Sequence, residues 1–570
     1  MQVTAIQSWE STYTGKNRWY LRLFPSLTDL VFLLPAFLLL VILPGTKTLL
    51  SDGDTGWHIR TGEWILQHRA VPSVDLFSFT KPNQAWFAWE WAWDALFALI
   101  HHAAGLAGVA LANVFLLCLI SALLFRLIRR CSENDLLALF FTFVCLAGSS
   151  IHWLARPHLF SWLFVLIFSH VILSAAAGKL KALWSLPFLT IAWANIHGAF
   201  FVGVLMLLIS ATGEALDVFI SQKQMGRTAY SRARPYLLCA LGCAIASLIN
   251  PYTWHLHEHI FSYLRDSKLL DEIQEYQSIS FHHASAMFFE GMLLLGVAST
   301  VWCFQRGKFA AGLLVLLWAH LALLSGRNIP IFLFIAAPWI TCIVQDTLAA
   351  LKPLPWVNRL AAAIRRIYAD LQPMERMARW HFVSALGVLC MVGLLASGNS
   401  TFEAAFDAQR FPLEAIPVIQ AGNYRRIFTF DQWGDYLIYR LYPSKQVFVD
   451  GRSDFYGADF VIRCEHLVAA RYGWEADLKR YRVDAVLLKP NAPLAEVLKE
   501  SLNWRVAFDN GSAILFRSTS QPEHELGSPS ESRIRFSPAF NSGGKQFGAF
   551  LAHKLTISNL QRVTHERRSL

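Results

Sequence analysis

Charged residues are scarce in this sequence of 570 residues: only 16% are Asp, Glu, Lys or Arg, against about 25% in soluble globular domains. Hydrophobic residues make up 55% of the chain, and its mean hydropathy is +0.37. Most of the chain is therefore not dissolved in water. This excludes a soluble enzyme, a coiled coil, a collagen-like protein and a wholly disordered chain. The 21 Trp and 42 Phe suit membrane interfaces, so the composition predicts a polytopic membrane protein.

Several motifs with a known chemistry are also missing. The sequence has no Walker loop, no G-x-S-x-G and no Rossmann fingerprint, which argues against a nucleotide-driven pump. It has no C-x-x-C pair, and of its nine cysteines only Cys464 falls in a water-soluble segment, so we expect no disulfide there. The first 24 residues lack an apolar core and a cleavage site, and we expect them not to be a signal peptide.

Apolar runs recur along the first 400 residues. A hydrocarbon core about 30 Å thick requires about 20 apolar residues per helix. The predicted fold class is a polytopic α-helical membrane protein of about eleven transmembrane helices, within a membrane domain at 27–398. The predicted spans lie near 27–49, 93–125, 135–153, 158–177, 183–196, 199–219, 235–250, 287–304, 309–325, 330–350 and 381–398.

The net charge of +10 comes mostly from loops that flank these runs. If the N-terminus, 1–26, is cytoplasmic, the inside loops hold most of the Lys and Arg, as the positive-inside tendency requires. The charge therefore indicates topology, and we expect no nucleic-acid partner. The distribution of positive charge predicts that two long loops, 50–92 and 251–286, and everything after residue 398 lie on the outer face of the membrane. We interpret that face as the periplasmic side of a bacterial inner membrane.

The character of the chain changes at residue 399. Helical patterns alternate there with short predicted strands at 425–430, 446–450, 484–489, 506–508 and 513–516. Asp509-Asn510-Gly511, between the last two, predicts a hairpin turn. We therefore predict a C-terminal extracytoplasmic α/β domain at 399–518. The tail, 519–570, is rich in Ser, Pro and Gly and is predicted to be largely disordered.

The first outer loop carries two aromatic patterns at helical spacing. One is the face of Trp57, Thr61, Trp64, Ile65 and His68, and the other is the stripe of Trp86, Trp89, Trp93 and Phe97. Both are typical of helices that lie in the membrane interface.

Two acids, Asp52 and Asp54, follow the first span directly. An acid that faced lipid would be costly, so we expect both to face a watery cavity. An Asp there could act as a general base toward an acceptor hydroxyl or amine. Alternatively, the pair could hold a divalent cation, Mg²⁺ or Mn²⁺, against a phosphate. A third interpretation is a helix end in water, with Asp and Gly as turn residues.

Other polar residues are predicted on the same side of the membrane. Glu90 and Asp94 lie one helical turn apart, and arginines there could hold a lipid phosphate by bidentate bonds. Taken singly, each residue is as readily an interfacial anchor or a buried polar group with its hydrogen bonds satisfied. What favours a common site is that all of them are predicted on the same side of the membrane. The substrate-binding candidates of these outer segments are His58, Glu90, Asp94, Arg156, His158, His197 and Arg327.

An acidic first outer loop, interfacial helices, many spans and an extracytoplasmic α/β domain together resemble the GT-C superfamily of membrane glycosyltransferases. The loop is similar to that of aminoarabinose transferases and protein O-mannosyltransferases, through Asp52-Gly53-Asp54, the stretch 62–72 and the stretch 86–94. Segments 433–438 and 447–457 resemble the ending of a bacterial branch of membrane proteins. Trp433-Gly434-Asp435-Tyr436 is also loosely similar to the acceptor-reading motif of oligosaccharyltransferases, although the order of its residues differs.

This resemblance implies a transferase that moves a sugar from a polyprenyl-phosphate-linked donor to an extracytoplasmic lipid, glycan or protein acceptor, with inversion at the anomeric carbon. The donor's tail would lie among the membrane lipids, and its phosphate would meet Arg156, Arg327 or both. Asp54, with Asp52, would orient or deprotonate the acceptor, or bind a metal at the leaving phosphate. Trp433 and Asp435 would contact substrate.

Two other classes of function stay open. A transporter or flippase usually shows inverted repeats and mid-span charges, whereas here no convincing repeat is present and the acids cluster at one face. A non-catalytic scaffold with a periplasmic binding domain would tolerate replacement of Asp52 and Asp54.

Overall fold

Helices dominate the computed structural model, which describes residues 23–43, 45–132, 134–222, 226–282, 286–350, 380–396 and 404–519. The predicted cytoplasmic N-terminus therefore lies outside the described residues except for its last four. The predicted disordered tail lies outside them except for its first residue.

Each of the eleven predicted apolar runs overlaps a helix. The first helix, which contains Pro35, continues as a π-helical turn at Leu38–Ile42. The helices of the membrane part and its outer loops are α1 Leu27–Phe37, α2 Gly45–Leu49, α3 Asp54–His68, α4 Trp91–Ser132, α5 Asp135–Ser149, α6 His158–Ala176, α7 Leu186–Ile196, α8 Phe201–Gln222, α9 Arg227–Ala246, α10 His255–Arg265, α11 Ser267–Glu272, α12 Ala286–Gln305, α13 Phe309–Leu324, α14 Ile329–Ala350 and α15 Phe382–Ala396.

Among the described residues, six helical stretches are long and apolar enough to cross a membrane: 91–132, 135–152, 158–176, 198–220, 286–305 and 326–350. Three shorter helices are also apolar, at 27–42, 309–324 and 382–395. The chain thus has the helices of a membrane protein. The number of eleven crossings stays a prediction.

Helix α4 is broken where it leaves the outer loop. Ala104 and Gly105 are not helical, and Gly105 has φ of +60°, a conformation that suits glycine. The break separates a short first section, which carries Asp94, from the long apolar section that follows. The outer end of α4 can therefore take a direction of its own beside the loop.

The C-terminal part is an α/β domain with a five-stranded sheet in the order β2-β1-β3-β5-β4. The first three strands in that order are parallel, and β3-β5-β4 are antiparallel. The predicted strands are all present, and Asp509 and Ile514 pair across the predicted hairpin. Its elements are α16 Ala415–Ala421, β1 Arg426–Phe428, α17 Asp431–Leu441, β2 Gln446–Val447, α18 Ser453–Tyr456, α19 Ala458–Val468, α20 Trp474–Arg480, β3 Ala485–Leu488, α21 Pro493–Glu500, β4 Trp504–Asp509 and β5 Ile514–Ser518.

The first outer loop extends this sheet at its β2 edge. The amide of Val447 donates to the carbonyl of Phe77 at 2.9 Å, and the amide of Phe79 donates to the carbonyl of Val447 at 3.1 Å. The Thr80 hydroxyl adds a bond of 2.7 Å to the carbonyl of Phe448. An exposed strand edge is a template for unwanted pairing, and here the loop covers it.

A buried ion-pair network joins the same loop to the domain. Arg452 is 2% exposed and lies 2.7 Å from both Asp450 and Asp75. The Tyr456 hydroxyl donates to Asp450 at 2.9 Å, and the guanidinium lies 4.5 Å from the centre of the Trp86 ring. The loop and the domain therefore form one continuous core.

Most side chains of the two aromatic patterns of the first loop are packed inside the protein; Trp64 and Trp89 are partly buried, and His68 is exposed. Trp57 is 6% exposed, Trp86 4%, Trp93 0% and Phe97 1%. The interfacial placement expected from these patterns is therefore wrong for these side chains. Their periodicity reports a buried face, and that face packs against the protein core and not against lipid.

Candidate functional site

The acid pair lies at the start of α3, between the membrane part and the C-terminal domain. The backbone amide of Asp54 donates to Asp52 Oδ1 at 3.0 Å, and the amide of Gly53 donates to Gln432 Oε1 at 2.9 Å. Carboxylates are favourable at a helix N-terminus because the helix dipole is positive there. The first loop and the domain thus fix the two acids together.

Arg156 gathers three carboxylates around one guanidinium. Its Nη1 lies 2.9 Å from Asp52 Oδ2 and 2.6 Å from Glu275 Oε1, and its Nη2 lies 2.6 Å from Asp54 Oδ2. Arg327 Nε contacts the other oxygen of Glu275 at 3.1 Å. Segments from both outer loops and from the stretch between α5 and α6 therefore meet at this cluster.

The cluster holds more acids than bases. Three carboxylates face two guanidiniums, which leaves one negative charge if all are ionised. Burial raises the pKa of Asp54 to about 7, although Arg156 acts to lower it, and Asp52 adds to the rise. Burial also acts to raise the pKa of Glu275, but Arg156 and Arg327 outweigh it and hold that pKa well below its usual value. Asp54 can thus exchange a proton near neutral pH.

Asp435 lies directly behind Asp54. It is fully buried, its Oδ1 accepts a bond of 2.8 Å from the amide of Gly451, and its Oδ2 has no hydrogen-bond partner among the described residues. Burial, and next the charge of Asp54, raise the pKa of Asp435 well above its usual value. A Cβ at Gly451 would lie 2.1 Å from Asp54 Oδ1 and 2.9 Å from Asp435 Oδ2. Only glycine allows the two acids to approach this closely.

A second polar chain runs from His58 toward the membrane part. His58 Nδ1 shares a bond of 2.6 Å with Asp94 Oδ1. Glu90 lies between two imidazoles, 3.6 Å from His58 Nε2 and 3.6 Å from His197 Nε2, and His197 Nδ1 is 2.8 Å from the Ser161 hydroxyl. Burial, and then the charge of Arg156, hold the pKa of His58 well below its usual value, whereas burial raises the pKa of Glu90 to about 8. The imidazole of His58 is therefore neutral, and Glu90 keeps its proton at neutral pH.

One cavity of about 1100 Å³ connects these groups. It brings together nine of the residues predicted for the site: Asp52, Asp54, His58, Glu90, Asp94, Arg156, His158, His197 and Arg327. Apolar side chains of the membrane helices also line it, among them Leu205 on α8, Trp318 on α13 and Ile331 on α14. The lining of the cavity therefore contains both charged and apolar side chains.

The structure does not bring two of the predicted residues to this cavity. Trp433 is 2% exposed, and its indole donates to the carbonyl of Arg410 at 2.7 Å. Asp435 is buried behind Gly451. The prediction that these two contact substrate is therefore corrected: both belong to the wall that supports the acids, because α17 turns their side chains into the domain core.

Sequence reasoning missed several residues of the lining. Glu275 is the most consequential, since it completes the cluster around Arg156, and Asp431, Gln432 and Gly451 come from the domain. Glu275 lay within the predicted outer loop 251–286. Arginines without an acidic partner were predicted on the same side of the membrane as this loop. An acid in the loop was therefore the signal that could have identified Glu275.

The donor set does not fit the divalent cation expected from the sequence. Asp52, Asp54 and Glu275 each commit an oxygen to Arg156, whereas Mg²⁺ requires several oxygens in a near-ideal octahedron around one point. In the described part of the chain, no group of three His, Cys, Asp or Glu side chains is arranged to hold a metal ion.

Comparison with solved structures supplies the wider context. The crystal structure of an Archaeoglobus fulgidus oligosaccharyltransferase in the apo form is similar to this chain with a TM-score of 0.50 and 11% identity, over 81% of this chain and 69% of that one. The archaeal oligosaccharyltransferase AglB from the same organism, in complex with an inhibitory peptide and a dolichol-phosphate, gives a TM-score of 0.49 and 11% identity over the same shares. The fold is similar to that of this archaeal oligosaccharyltransferase. No protein-family model matches the chain, and no curated protein matches its sequence.

Proposed function

We propose that the protein is a membrane glycosyltransferase of the GT-C type, which transfers a sugar from a polyprenyl-phosphate-linked donor to an acceptor outside the cytoplasm. The observation that supports this most is the cavity, whose lining includes both a buried acid with a near-neutral pKa and apolar side chains of membrane helices. A lipid-linked sugar has the same division into a charged head and an apolar tail. The fold shared with an oligosaccharyltransferase agrees with this assignment.

In the proposed reaction, Asp54 is the general base. The acceptor oxygen attacks the anomeric carbon of the donor sugar, and its proton passes to the carboxylate of Asp54. The bond between the anomeric carbon and the phosphate oxygen breaks, and its electron pair leaves with the phosphate. A single displacement of this kind inverts the anomeric centre. A base with a pKa of about 7 is well matched to this task at neutral pH.

Arg327 is the better of the two candidate arginines for the donor phosphate. The terminal nitrogens of Arg156 are occupied by three carboxylates. Arg327 uses only Nε, on Glu275, and its two terminal nitrogens have no partner in the part of the chain that the structure describes. Its guanidinium, 4.8 Å from the centre of the Tyr276 ring, can therefore present a fork to a phosphate.

The cellular setting follows from the loop charges. We place the cavity and the C-terminal domain on the periplasmic face of a bacterial inner membrane, and the N-terminus in the cytoplasm. The acceptor, whether lipid, glycan or protein, would then reach the site from the periplasm beside the domain.

The test is transfer from a panel of radiolabelled polyprenyl-phosphate sugars in membranes that contain the wild type, Asp54→Asn or Arg306→Ala. The last variant is the matched control, since Arg306 pairs with the exposed Asp346 at 2.7 Å, away from the cavity. We expect donor-dependent product with the wild type and Arg306→Ala, and none with Asp54→Asn at equal protein level.

Equal labelling in all three proteins would overturn the proposal. So would the absence of product across the panel together with movement of the intact donor across the bilayer, which would identify a flippase. The scaffold alternative predicts that Asp54→Asn supports normal growth of the cell.

A further inference from the structure

The position of Arg156 is fixed by the same segments that carry the acids. The amide of Ala155 donates to the carbonyl of Leu49 at 2.9 Å, and the Thr55 hydroxyl donates to the carbonyl of Ala155 at 3.0 Å. The backbone beside Arg156 is thus bonded both to the end of α2 and to the first turn of α3. The guanidinium and the acid pair cannot move apart without breaking these bonds.

The three carboxylates need a cation to lie together. The side chains of Asp52, Asp54 and Glu275 are only 10%, 7% and 25% exposed. Carboxylates so little hydrated repel one another strongly unless a positive charge lies among them. Arg156, itself 17% exposed, supplies that charge through both terminal nitrogens.

A guanidinium and a metal ion compete for the same oxygens. Asp52 Oδ2, Asp54 Oδ2 and Glu275 Oε1 all point at Arg156 nitrogens between 2.6 and 2.9 Å away. A divalent ion would need these oxygens at about 2.0–2.6 Å from its own centre, in the space that the guanidinium fills.

We propose that Arg156 is a built-in cation that replaces a divalent metal in this site, so that the acid cluster assembles without any metal ion. Arg156 is then a positioning residue, which holds Asp54 in place while Arg327 stays available for the donor. The catalytic meaning of this assignment rests on the proposed function, but its metal-binding content does not.

The test measures Mn²⁺ binding and melting temperature on the purified full-length protein in detergent, with chelator or with excess Mn²⁺. For the wild type we expect no bound Mn²⁺ in the electron paramagnetic resonance spectrum and the same melting temperature in both conditions. Arg156→Ala leaves three uncompensated carboxylates. We expect it to melt lower in chelator, to bind Mn²⁺, and to regain at least about 2 °C with the metal.

Two further variants keep the test decisive. Arg156→Lys retains one positive charge, so it should bind no Mn²⁺ and its melting temperature should not change with Mn²⁺. This variant covers the case in which Arg156→Ala does not fold. Arg306→Ala removes an exposed ion pair and should also show no metal effect.

Two results would overturn the inference. One is a wild type that binds Mn²⁺ and is stabilised by it, with both effects lost in Asp54→Asn. The other is a folded Arg156→Ala protein that binds no Mn²⁺. Neither measurement uses a sugar donor, so failure to detect transfer would count against the proposed function and leave this result intact.

Discussion

Gly451→Ala is the sharpest perturbation of the site, because it adds one methyl group between two acids. The new Cβ would lie 2.1 Å from Asp54 Oδ1 and 2.9 Å from Asp435 Oδ2. Both distances are far inside van der Waals contact. Asp54 cannot simply rotate away, because its other oxygen is held by Arg156 at 2.6 Å. The substitution must therefore move the carboxylate, the turn at Gly451, or both.

The size of the effect follows from the geometry. Relief of a 2.1 Å contact requires a shift of about 1 Å or more, and a misplacement of about 1 Å can cost about 10²-fold in rate. Forcing an extra methyl group into a packed core costs about 1–3 kcal/mol. We therefore expect transfer activity to fall about 10²-fold, with a lower melting temperature.

The assay compares transfer rate and melting temperature for the wild type, Gly451→Ala and Gly291→Ala. Gly291 lies on α12, and a Cβ there would meet nothing within 4 Å, so this control should match the wild type in both measurements. A Gly451→Ala protein with wild-type rate and melting temperature would refute the account of how Asp54 and Asp435 are held together.

Three further predictions follow from the same structure. The transfer rate should rise with pH through about 7, where Asp54 loses its proton, and a flat pH profile would contradict its role as base. Glu90 keeps its proton up to about pH 8 in the folded protein but only to about 4.5 when unfolded, so stability is lost as the pH rises through that window. Glu90→Gln should remove this loss in a series of melting temperatures against pH, and an unchanged slope would count against it. Arg452→Met leaves Asp75 and Asp450 uncompensated in the core, so the free energy of unfolding should fall by about 3–5 kcal/mol; a loss below about 1 kcal/mol in denaturant titrations would show that the network is not rigid.

Local patterns predicted much of the fold. The strands of the C-terminal domain and the hairpin at Asp509-Asn510-Gly511 could be predicted because the alternation of apolar residues and the choice of turn residues depend on only a few neighbouring positions. The apolar runs were readable because lipid imposes their length. The face of α3 was also found, but periodicity tells only that Trp57 and Ile65 are buried and not whether lipid or protein buries them.

Pairing over long distances could not be predicted in the same way. The predicted shared side of the membrane grouped Asp52, Asp54 and Arg156, and the structure has all three in the lining of one cavity. Several acids lie in the predicted loop 251–286, and the sequence did not show which of them would complete the cluster; it is Glu275, 119 residues after Arg156. Nor did the motif around Asp435 show that its side chain points into the domain core, since that depends on how α17 packs.

The strand pairing between the first loop and the edge of the sheet has a consequence for the order in which the protein is synthesised and completed. Thr80 bonds a partner that follows it by 368 residues, so at a synthesis rate of about 5–20 residues per second the loop waits roughly 20 to 70 s for it. During that interval Gln432 and Gly451 do not yet exist to fix Asp54. A half-made chain therefore carries its acids but cannot use them, and the enzyme we propose becomes competent only when almost all of it has been made.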